Sequence, residues 1–390
     1  MAVRTIRDVP GAKEFLDLSA RAGANIALVQ GPGGNTSIKE DGVLWVKASG
    51  TQLADALSKD IFVPLRLHPL LDALQARDPR CETSTAFVLD DFNPQRLRPS
   101  IETTLHALIP QRVVVHVHCV ETISWACLKD AEAQLGPRLE GLDWAFVPYQ
   151  RPGLPLTLGL AERMPPVPSV VVLGNHGLVV AAETVAAATT LLADVQQRLY
   201  RPPAKPVAAN TAMLAAISEG TGYEPAADPA VHGLAIDPAR ASIATGGSLY
   251  PDHVIFLGPS ALTLPPGEDL AKLIAAHERP MASVVLVPGA GVLLPRSCSP
   301  AARAMARCLA DVAARIPAGA ALNYLTQADE HGLLNWARRS TGKPLAKRAA
   351  RFAGNAVPGG NSHDFGRLFQ YCCCVGVMQI SCTNAFCGTL

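Results

Sequence analysis

The chain has 390 residues with a formal net charge of +1, 49% hydrophobic and 17% charged. Lys+Arg 34 against Asp+Glu 33 leaves no basic excess to neutralise a run of phosphates, which argues against a nucleic-acid partner and a polybasic membrane anchor. Gly 31 and Pro 32, about a sixth of the chain, fall short of the roughly 25–30% that marks low-complexity disorder, so a packed chain of two or three domains is expected. The longest apolar stretch, residues 169–193, is interrupted by Asn175, His176 and Glu183 and offers no run of about 18 residues to span a membrane. The first residues lack the apolar core of a secretory signal. A cytoplasmic protein without a membrane partner is the expectation.

In chain order, residues 13–24 read as a helix with Phe15, Leu18 and Ala22 on one face. Gly31-Pro32-Gly33-Gly34-Asn35-Thr36-Ser37-Ile38 reads as a turn entering a strand, and residues 42–47 as its hairpin partner. Residues 51–80 hold a short helix and a stretch rich in Pro and Arg. Pro99-Ser100 opens a helix over about 101–109, which Pro110 stops. Residues 112–118 are a β-rich run. After a further helix and the loop 148–153, the strand 169–173 leads into Gly174-Asn175-His176-Gly177, and an amphipathic helix covers 183–200. Pro202, Pro203 and Pro206 break it and mark a domain boundary.

The second half reads as an α/β layer, with short apolar strands at 253–257 and 283–287 and helices at about 268–277, 300–315 and 328–340. Gly289-Ala290-Gly291-Val292 follows a strand but lacks the third glycine of a dinucleotide fingerprint. From about Arg351 periodicity fades. The expected division is a first domain over 1–205, an accessory α/β domain over 206–345 and an irregular Cys-rich tail over 346–390. Cys81, Cys119, Cys127, Cys298 and Cys308 read as reduced thiols. Cys372, Cys373, Cys374, Cys382 and Cys387 do not match the paired spacing of a zinc knuckle.

His116-Val117-His118 is the strongest chemical feature. Side chains at i and i+2 share one face of a strand, so two imidazoles there can grip one ion, or simply line a solvated edge. His176, between Gly174 and Gly177 at a strand end, is a third ligand candidate or a capped turn residue. Three imidazoles with a vacant fourth position form the catalytic rather than the structural zinc arrangement. Glu102 is either ordinary first-turn acid or, with few residues between it and His116, a carboxylate able to move a proton next to a metal-bound carbonyl. The glycine-rich turn at 31–34, followed by Asn35, Thr36 and Ser37, is neither a Walker loop nor a dinucleotide fingerprint. It presents N–H groups and short donors suited to a phosphate or carboxylate, or is a tight surface turn. Ser49-Gly50 and Ser100 repeat this theme.

Gly-Gly-Asn-Thr-Ser, Lys-Ala-Ser-Gly, Pro-Ser-Ile-Glu, His-Val-His and Gly-Asn-His-Gly-Leu, in this order over about residues 10–205, resemble the class II aldolase/adducin family. The resemblance implies an α/β/α domain around a central, mainly antiparallel sheet, here with a smaller C-terminal α/β domain. In similar fuculose-phosphate aldolases, one Zn²⁺ per subunit (or another divalent metal) sits on residues that map onto His116, His118 and His176. The general acid/base maps onto Glu102, and the phosphate site onto Gly34, Asn35, Ser49, Gly50 and Ser100. Ile101 stands where those enzymes carry a second serine, which removes one hydroxyl from the phosphate site. Tyr149 is the candidate for a loop tyrosine near the site. The implied activity is a lyase cleaving or forming a carbon–carbon bond of a ketose or ketose phosphate through a metal-stabilised enediolate. Epimerisation or decarboxylation of a sugar acid on the same ligands, and a non-catalytic adducin-like scaffold, are the alternatives. A small sugar or sugar phosphate is the implied partner, and a homo-oligomer, a tetramer in the family, the implied assembly.

Overall fold

The computed structural model describes residues 5–163, 167–277 and 284–341. The Cys-rich tail expected from residue 346 lies outside these residues. The first half builds a seven-stranded sheet from β1 (Asn35–Glu40), β2 (Val43–Lys47), β3 (Phe62–Arg66), β4 (Val113–Val117), β5 (Trp144–Val147), β6 (Val170–Leu173) and β7 (Gly177–Ala182). Their order is β3-β2-β1-β4-β7-β6-β5. All neighbours are antiparallel except β5 and β6. The mainly antiparallel sheet implied by the family resemblance is therefore present.

β4 and β6 are wholly buried, which is why their sequences are runs of valine rather than an apolar/polar alternation. Helices Ala12–Ala24, Val120–Ala126 and Val185–Leu199 bury Phe15, Ile123, Leu192 and Val195 in one cluster with Val113, Val115 and Val117. A second cluster joins Leu105 and Ile109 to Val114, Val171 and Val179. Val114 thus points to one face of β4, Val113 and Val115 to the other, as the pleat requires. No described helix is long and apolar enough to cross a membrane.

The second half adds a four-stranded sheet of β8 (Tyr223–Pro225), β9 (Leu262–Thr263), β10 (Val285–Val287) and β11 (Gly291–Pro295), ordered β8-β11-β10-β9. Helix Pro300–Ala313 buries Met305, Leu309 and Val312 and packs against helices Val120–Ala126 and Pro251–Leu257. Met305 and Leu309 share one hydrophobic cluster with Ile123, so the described residues are joined by a continuous core. Both sheets fall within one compact unit.

Three local expectations change. The apolar run 253–257 is not a strand but part of helix Pro251–Leu257, because Pro251 sets the first-turn φ and Gly258 ends it at φ 86°. The helix near Glu102 is shorter, Thr103–Leu108, and Glu102 is its N-cap residue rather than a first-turn residue. β3 escapes the sequence reading because it contains Pro64, which an edge strand tolerates. The other helices agree to within a few residues: Ala12–Ala24, Val185–Leu199, Leu270–Ala276, Pro300–Ala313 and Gln327–Thr341.

β6 and β7 form a tight hairpin in which Leu173 faces Gly177. A Cβ on Gly177 would press into the Val117 backbone carbonyl and lie 3.4 Å from the His118 Cα. That neighbour is backbone and cannot swing away. Gly177→Ala is expected to lower stability by about 1–3 kcal/mol, the usual cost of overpacking, read as a lower urea midpoint. An unchanged midpoint would show that β7 has room to move from β4.

Candidate metal centre

Sheet register assembles the site. Asn35 at the start of β1 lies opposite His116 on β4, and His116 lies opposite Val179 on β7. His118 follows β4 by one residue, and His176 occupies the β6–β7 turn beside Asn175, whose φ of 54° the turn demands. The close approach at Gly177 brings that turn against the end of β4. The ring centroids of His116, His118 and His176 are 4.9 to 5.1 Å apart. Each offers a ligand atom within 4.8 Å of the others, and all three side chains are buried.

The outer nitrogens fix what the inner ones can do. His116 Nδ1 is 3.1 Å from the Leu178 carbonyl, an acceptor only, so it must donate. His118 Nδ1 is 2.9 Å from the Asp252 carboxylate and also donates. While both rings are neutral, each Nε2 carries a lone pair; the two nitrogens lie 3.2 Å apart, and a second proton on either ring would bridge them as a hydrogen bond. Glu102 adds Oε2 at 3.4 Å from His116 Nε2 and Oε1 at 3.5 Å from His176 Nε2. Lone pairs and a carboxylate packed this closely, away from water, repel unless a cation or a ring proton lies among them.

Burial pulls His116 below its ordinary pKa against the opposing pull of Glu102. Burial, then the two neighbouring rings, pushes His176 well below. Burial also draws His118 down, but Asp252 together with Glu102 outweighs it and leaves that ring above its ordinary value. Neutral imidazoles are the metal-binding form. Glu102 Oε1 and His176 Nδ1 are buried without a hydrogen-bond partner among the described residues. The donor set of three imidazole nitrogens plus a neighbouring carboxylate fits a divalent cation of the zinc type.

Glu102 is held by a directed chain. Asn35 Nδ2 donates to Glu102 Oε2 at 2.8 Å, so Asn35 Oδ1 must accept, and its donor is His106 Nε2. His106 Nδ1 is then the acceptor and receives the Ser37 hydroxyl at 2.7 Å. Burial keeps His106 well below its ordinary pKa and therefore neutral, as the chain requires. The Ser100 hydroxyl accepts the Glu102 backbone N–H at 3.2 Å. Lys47 Nζ donates to the Pro32 carbonyl at 2.9 Å. Burial lowers Lys47 to about 8, opposed by Glu102 and Asp252.

The structure thus brings His116, His118, His176, Glu102, Asn35 and Ser100 together. Gly34, at φ 62°, packs so closely that a Cβ would lie 3.0 Å from the His116 carbonyl. The Asn35 amide is engaged at both ends. Ser49 N–H is bonded to the Arg98 carbonyl, and Gly50 is exposed at φ 80°. No hydrogen bond links either to the histidines among the described residues. Tyr149 packs against the cluster of Val254, Leu325 and Leu333, its buried hydroxyl without a partner among the described residues. Sequence reasoning missed His106, Lys47 and Asp252. Lys47 and His106 lie inside or beside the recognised motifs, whereas Asp252 carries no local signal.

Residues 18–199 match the family model of the Class II Aldolase and Adducin N-terminal domain. This segment is a class II aldolase/adducin domain. A curated relative, the uncharacterized oxidoreductase YuxG of Bacillus subtilis (strain 168), is 34% identical over 189 residues, covering 45% of this chain and 27% of the relative. The chain therefore matches only about a quarter of that relative's length. Solved structures similar to the class II aldolase domain include the N-terminal class II aldolase domain of a conserved protein from Thermoplasma acidophilum. It is 26% identical, with 48% and 90% of the two chains covered and a TM-score of 0.41. Another is the L-fuculose-1-phosphate aldolase of Thermus thermophilus, at 16% identity, 48% and 89% coverage and a TM-score of 0.34.

Replacing Asn35 by Ala strands the buried His106 N–H and a Glu102 oxygen together. Its expected cost is about 1–3 kcal/mol, measured by chemical denaturation. A loss below experimental error would mean that the chain from Ser37 to Glu102 does not hold the carboxylate.

Proposed function

We propose that this chain is a metal-dependent aldehyde-lyase, zinc being the first candidate, that makes or breaks a carbon–carbon bond of a ketose or ketose phosphate. The observation that carries the reading is the convergence of His116, His118 and His176, whose ligand nitrogens lie within 4.8 Å of one another beside Glu102. His116, His118 and His176 would hold the cation. When bound, such an ion acts as a Lewis acid that polarises the carbonyl and adjacent hydroxyl oxygens of a ketose.

The remaining work falls to the chain's own groups. Glu102 moves a proton at the carbon next to the carbonyl. Its Oε2 is fixed by Asn35, while Oε1 has no hydrogen-bond donor among the described residues and is the oxygen to which the proton goes. Ser100 holds the Glu102 backbone, so the carboxylate enters the site at a set angle. In this reading Gly34, Asn35, Ser49, Gly50 and Ser100 face the anionic end of the substrate. The segments carrying Ser49 and Ser100 are tied by the Ala48–Pro99 bridge, and Lys47 is buried beneath. Asn35 then acts through Glu102 rather than on the anion alone. A homo-oligomeric assembly belongs to the same proposal.

His116→Ala is expected to lose stoichiometric zinc by elemental analysis. Glu102→Gln should keep the metal and lower turnover by about 10²–10⁴-fold, the usual share of positioned acid–base catalysis. Turnover is assayed as condensation of dihydroxyacetone phosphate with small aldehydes and as cleavage of ketose phosphates. Full activity of the Gln variant, or an epimer or CO₂ as the product in place of two fragments, would overturn the lyase assignment.

A further inference from the structure

We infer that the second half of the chain completes the metal centre through Asp252, a positioning residue that orients His118 and raises its affinity for a divalent cation. The inference rests on the reading of the three histidines as ligands.

Asp252 belongs to helix Pro251–Leu257, far along the chain from the aldolase-family segment, which ends at residue 199. Its Oδ2 lies 2.9 Å from His118 Nδ1, the nitrogen that points away from the cluster. A carboxylate there does two things. It fixes the tautomer, placing the proton on Nδ1 and the lone pair on Nε2, where the other ligands converge. It also makes that lone pair more basic, and outer carboxylates of this kind strengthen a His–metal bond. His116 has the weaker version, a backbone carbonyl, and His176 Nδ1 has no partner among the described residues. His118 is therefore the ring whose orientation is most strongly set from outside.

The contact is built in from several sides. Gly33 abuts the pair: a Cβ there would be 2.9 Å from His118 Nδ1 and 3.1 Å from Asp252 Oδ2. Three residues before Asp252, the Leu249 carbonyl accepts from Asn175 Nδ2 at 2.9 Å, and the Asn323 carbonyl accepts from the same amide at 2.7 Å. Asn175 shapes the turn that carries His176. The second half thus grips the element of one ligand by backbone and another ligand by side chain. Tyr250 and Val254, both buried, anchor the start of the helix.

The test is zinc affinity of the full-length apoprotein by competition with a chromophoric chelator, for wild type, Asp252→Asn, Asp252→Ala, His118→Ala and the His118→Ala/Asp252→Ala double variant. Asp252→Ala is expected to bind about 10–100-fold more weakly. Asp252→Asn, which keeps an acceptor but loses the charge, should fall between it and wild type. Because the contact of Asp252 with the ligand set is to His118, the loss from Asp252→Ala should be much smaller on the His118→Ala background than in wild type. Long-range imidazole ¹⁵N spectra of the apoprotein, recorded at a pH where His118 is neutral, should show its Nδ1–H tautomer in wild type and a tautomer mixture in Asp252→Ala. Should Asp252→Ala not fold, Asp252→Asn decides. Wild-type affinity in Asp252→Asn, or additive losses in the double variant, would overturn the inference. If His118→Ala itself bound zinc like wild type, the failure would lie with the metal reading instead.

Discussion

Two imidazole nitrogens, His116 Nε2 and His118 Nε2, held 3.2 Å apart in a buried pocket are the constraint around which this molecule is arranged. Nothing in the local sequence forces His116 and His118 to present Nε2 inward. The Leu178 carbonyl and the Asp252 carboxylate do, because each can only accept a hydrogen bond. The juxtaposition is held because the surrounding structure over-determines it. β4 is wholly buried between β1 and β7, and Gly177 allows the His176 turn to close against its end. A divalent cation, as proposed above, would draw on the lone pairs of the neutral rings.

The charges around it agree. Glu102 and Asp252 bring two carboxylates and Lys47 one ammonium, with His116 and His176 pushed toward neutrality. The two carboxylates suit a cation at the centre. The chain through Asn35, His106 and Ser37 has only one consistent direction of donation. It therefore presents Glu102 in a single orientation, as the proposed proton transfer requires.

Much of this was legible in the residues. The period of two along a strand placed His116 and His118 on one side, and flanking glycines marked His176 as a tight-turn residue. The antiparallel sheet followed from the family motifs. Other parts were not legible, for physical reasons. An Asp after Pro at a helix start looks like ordinary first-turn acid, and only tertiary packing reveals that Asp252 reaches His118. The run 253–257 is apolar and short, so strand and helix could not be told apart by period; the proline before it and the glycine after it decided the matter. β3 was hidden by Pro64, which breaks the strand signal but costs an edge strand little. The link from Asn35 to Glu102 and His106 was not legible either, because those partners lie far from it in sequence and meet it only in the folded sheet.

The most direct test of the central claim is X-ray absorption at the zinc edge of the full-length protein loaded with one equivalent of zinc. Convergence of His116, His118 and His176 predicts three imidazole scatterers at about 2.0–2.1 Å with a lighter O/N ligand completing the shell. A first shell of sulfur at about 2.3 Å, or of water oxygens with fewer than two imidazoles, would contradict it.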